Sequence, residues 1–228
     1  MTFIGPRKFL RLSKERRSRA RLREEIRRQG FFFVDVPRTS SSSIRSEISE
    51  HYGTAYSKPD LASTEEKNFL LPPHLTAVEL RDYFGPEGWS SIFSFSVVRN
   101  PFDRMVSLWA YLHRKNELPE NFSFSDFTRF IEQKDISIID YPPFFLCSAD
   151  YLIDENGEMM VSQVARFERR HQDLAPIGER LGIPGLGQRA INGTSRAKDY
   201  RSYYTDGDRE RIEKAQQKDI DLFGYSFE

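Results

Sequence analysis

Phe31-Phe32-Phe33-Val34-Asp35-Val36-Pro37-Arg38-Thr39-Ser40-Ser41-Ser42-Ser43-Ile44-Arg45 is the stretch on which the fold turns. An apolar run that stops at small polar residues marks the end of a buried strand. Ile44 and Ile48 then recur at helical spacing, and Gly53 follows Tyr52 as a helix stop. The stretch predicts a strand, a loop of small hydroxyl residues, then a helix. Amide groups at a helix start lack partners within the helix, and the helix dipole favours an anion there. Thr39, Ser40, Ser41, Ser42 and Ser43 are small enough to let a phosphate approach that backbone. Arg38 adds a permanent positive charge at the loop entrance. A Walker A loop is excluded. No Gly falls between Phe31 and Tyr52, and the basic residue comes first rather than last. Two readings stand at this point: a phosphate site, or a Ser-capped helix after an ordinary core strand.

A second strand-to-helix passage follows at Phe93 to Tyr111. Phe93, Phe95 and Val97 alternate with Ser94, Ser96 and Val98, a strand pattern. Asn100 suits an N-cap and Pro101 the first helical position, so Arg99 falls at the strand's exit. Ser107 lies two turns into the helix, on the face of Asn100 and Asp103. An Arg fork and a Ser hydroxyl converging on one spot suit a terminal phosphate. The plainer reading is that Arg99 pairs with a nearby carboxylate such as Asp103.

Together the two passages resemble the sulfotransferases that use 3′-phosphoadenosine 5′-phosphosulfate (PAPS), specifically bacterial relatives of carbohydrate O-sulfotransferases. That family's 5′-phosphosulfate loop commonly reads I-P-K-T-G-G-T-S, against Val36-Pro37-Arg38-Thr39-Ser40-Ser41-Ser42-Ser43 here. Its 3′-phosphate element reads R-N-P-[FWY]-D-R-x-V-S, which Arg99 to Ser107 fit throughout. His74-Leu75-Thr76-Ala77 resembles its H-x-T-A segment. Arg166-Phe167-Glu168, Tyr200 to Tyr204 and Asp219 to Tyr225 extend the likeness toward the C-terminus. Two departures stand out. Arg38 replaces the family's loop Lys, and Ser40-Ser41 replace its Gly pair. Ser for Gly forbids little where φ stays negative.

The resemblance implies a three-layer α/β domain of P-loop type, with a mostly parallel central sheet flanked by helices. Alternating strands and helices point the same way, with ligands beyond the strand C-termini. It implies transfer of a sulfuryl group from PAPS to an acceptor hydroxyl, sugar hydroxyls being the leading class. Adenosine 3′,5′-bisphosphate (PAP) is then the product, and no metal is needed. Arg38 and the 39–43 loop would hold the 5′ end and stabilise charge on the leaving phosphate. Arg99 and Ser107 would hold the 3′-phosphate. His74 is the candidate base, since its unperturbed pKa suits proton transfer; a helix-capping His before Thr76 is the alternative. Asp35 is a second candidate base. Lys198 and Arg201, in a late polar loop, either close over the nucleotide or are solvated. Two rival functions remain open: a nucleoside or small-molecule kinase, and a catalytically silent nucleotide- or glycan-binding relative.

The 228 residues suit one sulfotransferase-like domain over 30–228, preceded by a basic arm or helix over 1–29. The formal net charge is zero, which gives no global steering toward nucleic acid. The arm is different. It holds Arg and Lys from Arg7 through Arg28 against only Glu15, Glu24 and Glu25. A solvated helix face is the plain reading. Peripheral contact with anionic lipid, an anionic polymer or a second subunit of a homodimer are the sharper ones. No apolar run reaches the ~18 residues of a membrane span. One cysteine, Cys147, cannot form an internal disulfide, which suits the cytoplasm. Tyr151 to Phe167 predicts a hairpin turning at 154–157, Arg169 to Leu181 a helix ended by Gly182, and Gly207 to Leu222 a final helix.

Overall fold

The computed structural model describes residues 23–52, 74–134, 141–189 and 196–228. Most of the basic arm and the apolar Phe69-Leu70-Leu71 stretch lie outside the described residues. Residues 23–29 form the described part of helix α1. β1 (Phe31–Val34) leads through the hydroxyl loop into α2 (Ser41–Tyr52). Helices α3 (Ala77–Phe84) and α4 (Pro86–Ser90) precede β2 (Phe93–Val98), which feeds α5 (Pro101–Arg114). Then come α6 (Phe124–Gln133), β3 (Gln163–Arg166), α7 (Arg170–Leu181), α8 (Asp206–Ala215) and α9 (Gln217–Phe223).

The described sheet has the order β1-β2-β3 and is parallel throughout, with helices on both faces. Alternation sorts each strand's side chains. Phe31, Phe33, Phe95, Val97 and Ala165 face α2 and α7, where Ile44, Ile48, Leu174 and Ile177 complete one core. Phe32, Val34, Val98 and Val164 face the opposite core, with Leu80, Phe84, Trp89 and Phe223. Phe33 opposes Phe95 in register, their rings 5.1 Å apart. Each buried Phe contributes roughly 1.5–3 kcal/mol. Ser94 and Ser96 are as buried as their apolar neighbours. Their cost is offset locally: Ser96 donates to the Val34 carbonyl at 2.7 Å, and Ser94 lies in hydrogen-bonding reach of Ser162. A third core joins α5, α6 and α8 through Phe102, Leu108, Phe127 and Phe130. The phenylalanines of the 122–130 cluster are packing residues.

Three local expectations change. The hairpin shrinks to one antiparallel bridge, Ile153 to Met159, closed by the 154–157 turn. Residues 163–166 then pair with β2 in parallel, because Val164 and Ala165 are needed in the two cores. The final helix is two, broken at Gln216, whose side chain is drawn inward by Arg104. Cys147 is buried, and that burial pushes its thiol up to about 12, the behaviour of a core residue. No described helix is long and apolar enough to cross a membrane. Ile26 of α1 is buried in the core, and Arg27 donates to the Phe84 carbonyl at 3.0 Å, so the described end of α1 packs on the domain.

Candidate functional site

β1 and β2 are adjacent and parallel, so their C-terminal ends release both strand-to-helix passages at one edge. The 35–40 loop closes on itself: Thr39 Oγ1 donates to the Val36 carbonyl at 2.9 Å, and the Ser43 and Ile44 amides reach the Ser40 carbonyl. Thr39, Ser41 and Ser43 are buried; Ser40 and Ser42 are half-buried. Arg38 and Ser40 both have positive φ, 67° and 72°. The expectation of a negative φ at Ser40 is thus corrected. Ser41, by contrast, is the first residue of α2. A left-handed L-residue costs about 1–2 kcal/mol, while Gly loses about 0.5–1 kcal/mol of chain entropy on folding. Ser40→Gly should therefore stabilise the protein by about 0.5–1 kcal/mol net. Denaturant midpoints measure this, and an unchanged or lower midpoint would remove strain as a factor.

Arg38 reaches across to the second element. Its Nε and Nη2 donate to Ser107 Oγ at 3.3 and 3.1 Å, and its guanidinium lies 4.5 Å over the Tyr111 ring. Burial, then the positive charge of Arg99, lower Arg38 to about 10, still charged at neutral pH. Arg99 donates to the Arg38 carbonyl at 3.2 Å and pairs with Asp103 at 2.6 Å. It also packs 3.9 Å over the Phe167 ring. The carboxylate pairing read as the plainer alternative is therefore real. Asp103 nonetheless does more than neutralise Arg99: its other oxygen holds Arg196. Three guanidiniums, Arg38, Arg99 and Arg196, gather at the strand ends around one bridging carboxylate. Arg196 Nη1 is buried without a hydrogen bond among the described residues. A buried, unpaired donor beside clustered cations is a fitting place for a phosphate.

The strand exit itself is braced. The Asn100 amide donates to Glu168 at 2.7 Å, its side chain caps α5 at the Phe102 amide, and Tyr225 donates to the other Glu168 oxygen. This explains what Glu168 of the Arg-Phe-Glu segment does. Lys198 and Arg201 are exposed and line a cleft of about 520 Å³ beside Asn100, Asp103, Glu168 and Tyr200. Arg201 is already bound to Asp199 at 2.8 Å. The residue of that loop that enters the cluster is Arg196, which the sequence reading passed over. A long loop has no period to say which of its basic residues turns inward.

The two candidate bases meet at the start of the 35–40 loop. His74 Nδ1 lies 3.1 Å from the Asp35 carbonyl oxygen and 3.2 Å from its carboxylate Oδ1. Arg45 of α2 holds Oδ2 at 2.9 Å. Burial pushes the His74 ring toward neutrality, but Asp35 outweighs it and holds the ring above its ordinary value. Burial likewise pushes the Asp35 carboxyl up, but His74 and Arg45 outweigh it and hold it low. His74 does not cap α3, contrary to the structural alternative. Thr76 does, in a reciprocal box with Glu79. The Tyr141 ring stands edge-on to His74 at 6.4 Å.

The geometry thus gathers arginines and helix-start amides at one sheet edge, with a paired acid and imidazole nearby. Among the described residues, no group of three or more His, Cys, Asp or Glu is placed to hold a metal ion. Comparison with curated proteins and with solved structures finds no match. A family model described as sulfotransferase family matches residues 26–226, from the buried Ile26 to the tail beyond Tyr225. That match takes in both strand-to-helix passages, the His74 segment and the Glu168 brace, and the chain belongs to the sulfotransferase family.

Proposed function

We propose that the protein moves the sulfuryl group of PAPS to an acceptor hydroxyl, with a carbohydrate hydroxyl as the acceptor class. The observation that carries the donor assignment is the contact between Arg38 and Ser107, which joins the 5′ loop to the 3′ element. One donor molecule with phosphate at both ends suits such a joined site; a simple monophosphate leaves half of it unused. Arg38 and the α2 amides face charge growing on the leaving 5′-phosphate, where fixed donors lower the barrier. Arg99, Ser107 and Arg196 recognise the 3′-phosphate, and Asp103 keeps two of those guanidiniums in place. His74 takes the acceptor proton. Tyr111 and Tyr141 offer ring surface near these groups for the acceptor. The carbohydrate assignment is supported by the motif resemblance, and a cytoplasmic setting by the single buried Cys147.

PAP should bind about ten- to a hundredfold tighter than AMP, the scale of one charged hydrogen-bonded contact at about 1.5–3 kcal/mol. Arg99→Ala and Arg196→Ala should each narrow that gap, as read by calorimetry. Equal affinity of the wild type for PAP and AMP would sink the PAPS assignment. Tighter binding of ATP than PAP would point to a kinase instead.

A further inference from the structure

We infer that Asp35 is a positioning residue for His74, placed to receive the positive charge that arises when the imidazole takes a proton. The inference rests on the proposed role of His74 as base, and deepens it. Two oxygens of one residue divide the work. The Asp35 carbonyl oxygen lies 3.1 Å from His74 Nδ1 and fixes the tautomer with the proton on that nitrogen. Nε2 is then the basic nitrogen of the ring. Asp35 Oδ1 stands 3.2 Å from Nδ1 and is buried, without a hydrogen bond of good geometry to the neutral ring, and Ser41 is a further side chain in reach of the carboxyl. A buried carboxylate oxygen so poorly partnered is costly, unless a charge appears beside it. Protonated His74 supplies that charge.

The rest of the surroundings hold this pair still. Asp35 follows β1 directly, so the strand end sets its backbone. Arg45 clamps Oδ2 at 2.9 Å, which aims Oδ1 at the ring. The His74 backbone itself is left-handed, at φ 63°, a conformation kept only where surroundings hold it. The Tyr141 ring packs edge-on against the imidazole at 6.4 Å. The charged and titratable groups facing His74 are thus Asp35 after β1, Arg45 on α2 and Tyr141 ahead of the 142–145 turn.

In the transfer step, the acceptor's O–H proton passes to His74 Nε2 as the acceptor oxygen bonds to sulfur. The bond from sulfur to the 5′-phosphate oxygen breaks, and its electron pair leaves on the phosphate. The imidazolium so formed is paired with Asp35 Oδ1. Asp35 touches no reacting atom and acts only through the ring.

The test is a titration of His74 by NMR, in wild type, Asp35→Asn and Arg45→Met, alongside pH–rate profiles. The protein has four histidines, and His74→Gln assigns the resonance. Asp35→Asn should move the His74 midpoint to lower pH while the ring keeps the same tautomer, because the carbonyl anchor remains. Arg45→Met should move it the other way, since an opposing cation is lost. Turnover of Asp35→Asn at neutral pH should fall about tenfold or more, a part of the roughly 10²–10⁴-fold that a positioned base contributes, because the imidazolium formed in the transfer loses its counter-charge. Affinity for PAP should hold. Opposite movements in the two variants are not the mark of a merely structural residue. An unmoved midpoint in Asp35→Asn overturns the inference. If that variant does not fold, an unmoved or lowered midpoint in Arg45→Met overturns it as well. Absence of turnover with PAPS in wild type would overturn the proposed function alone, since the titration needs no substrate. Full turnover by His74→Gln, with loss in Asp35→Asn, would make Asp35 itself the base and also overturn the inference.

Discussion

Arg38→Ala should lower turnover by about 10²–10³-fold, the cost of removing one fixed donor aimed at developing charge. Affinity for PAP should fall far less. Arg38 sits where the two phosphate elements meet, with its guanidinium held by Ser107 and by the Tyr111 ring. Those contacts fix its direction before any ligand arrives, so in the proposed transfer little reorganisation would accompany the charge growing on the leaving phosphate. Its pKa of about 10 keeps it charged at neutral pH despite burial and the nearby Arg99. A group that acts mainly on the transition state lowers kcat and kcat/KM together. Arg38→Lys is the control. Lysine keeps the charge but cannot donate twice to Ser107 from a flat fork. Turnover close to wild type would mean that charge alone matters at this position. Loss of PAP affinity as large as the loss of turnover, with kcat intact, would show that Arg38 serves binding instead.

Asp219→Ala should destabilise the protein by about 3–5 kcal/mol, the scale for stripping one partner from a buried ion pair. Asp219 and Arg104 are both inaccessible to solvent, 3.7 Å apart. Asp219 also accepts from the Ser148 and Ala149 amides at 2.8 and 2.7 Å. Arg104 donates to the Leu146 carbonyl and to Gln216. Removing the carboxylate leaves a charged guanidinium and two amides without compensation. Chemical denaturation measures the loss, and a value under about 1 kcal/mol would mean that water replaces the carboxylate. Replacing both partners with apolar residues, as in Arg104→Met with Asp219→Leu, should recover much of the stability. This pair ties α5, which carries Ser107, to α9. The Arg-Asn-Pro-Phe-Asp-Arg motif therefore divides: Arg99 faces the site and Arg104 faces the core.

The split between the two arginines shows where one-dimensional reading ends. Both flank the same turn and both are charged. Only the packing of α5 against α9 separates the arginine at the candidate site from the one in the core. The hydroxyl loop has the same limit. Its strand and helix were legible from apolar spacing, and its place at a sheet edge from the alternation of strands and helices. Its two left-handed residues were not, since Arg38 and Ser40 are residue types that seldom adopt such a backbone.

By itself, the chain's order of residues determined the two strand-to-helix passages, because apolar period, the Asn100 cap and Pro101 act within a few residues of one another. It also determined that Arg38 and Arg99 follow strand ends and that Ser107 lies two turns into the helix of the second passage. Tertiary structure alone decided their partners. Arg38 meets Ser107 from 69 positions away, Arg196 reaches Asp103 from 93, and His74 rests on Asp35 from 39. It likewise turned residues 163–166 from a hairpin arm into the third parallel strand. For the charged pairs among these the physical reason is one. Local periodicity sets which face of an element is apolar, whereas a buried charge takes whichever counter-charge the closed core brings within about 4 Å.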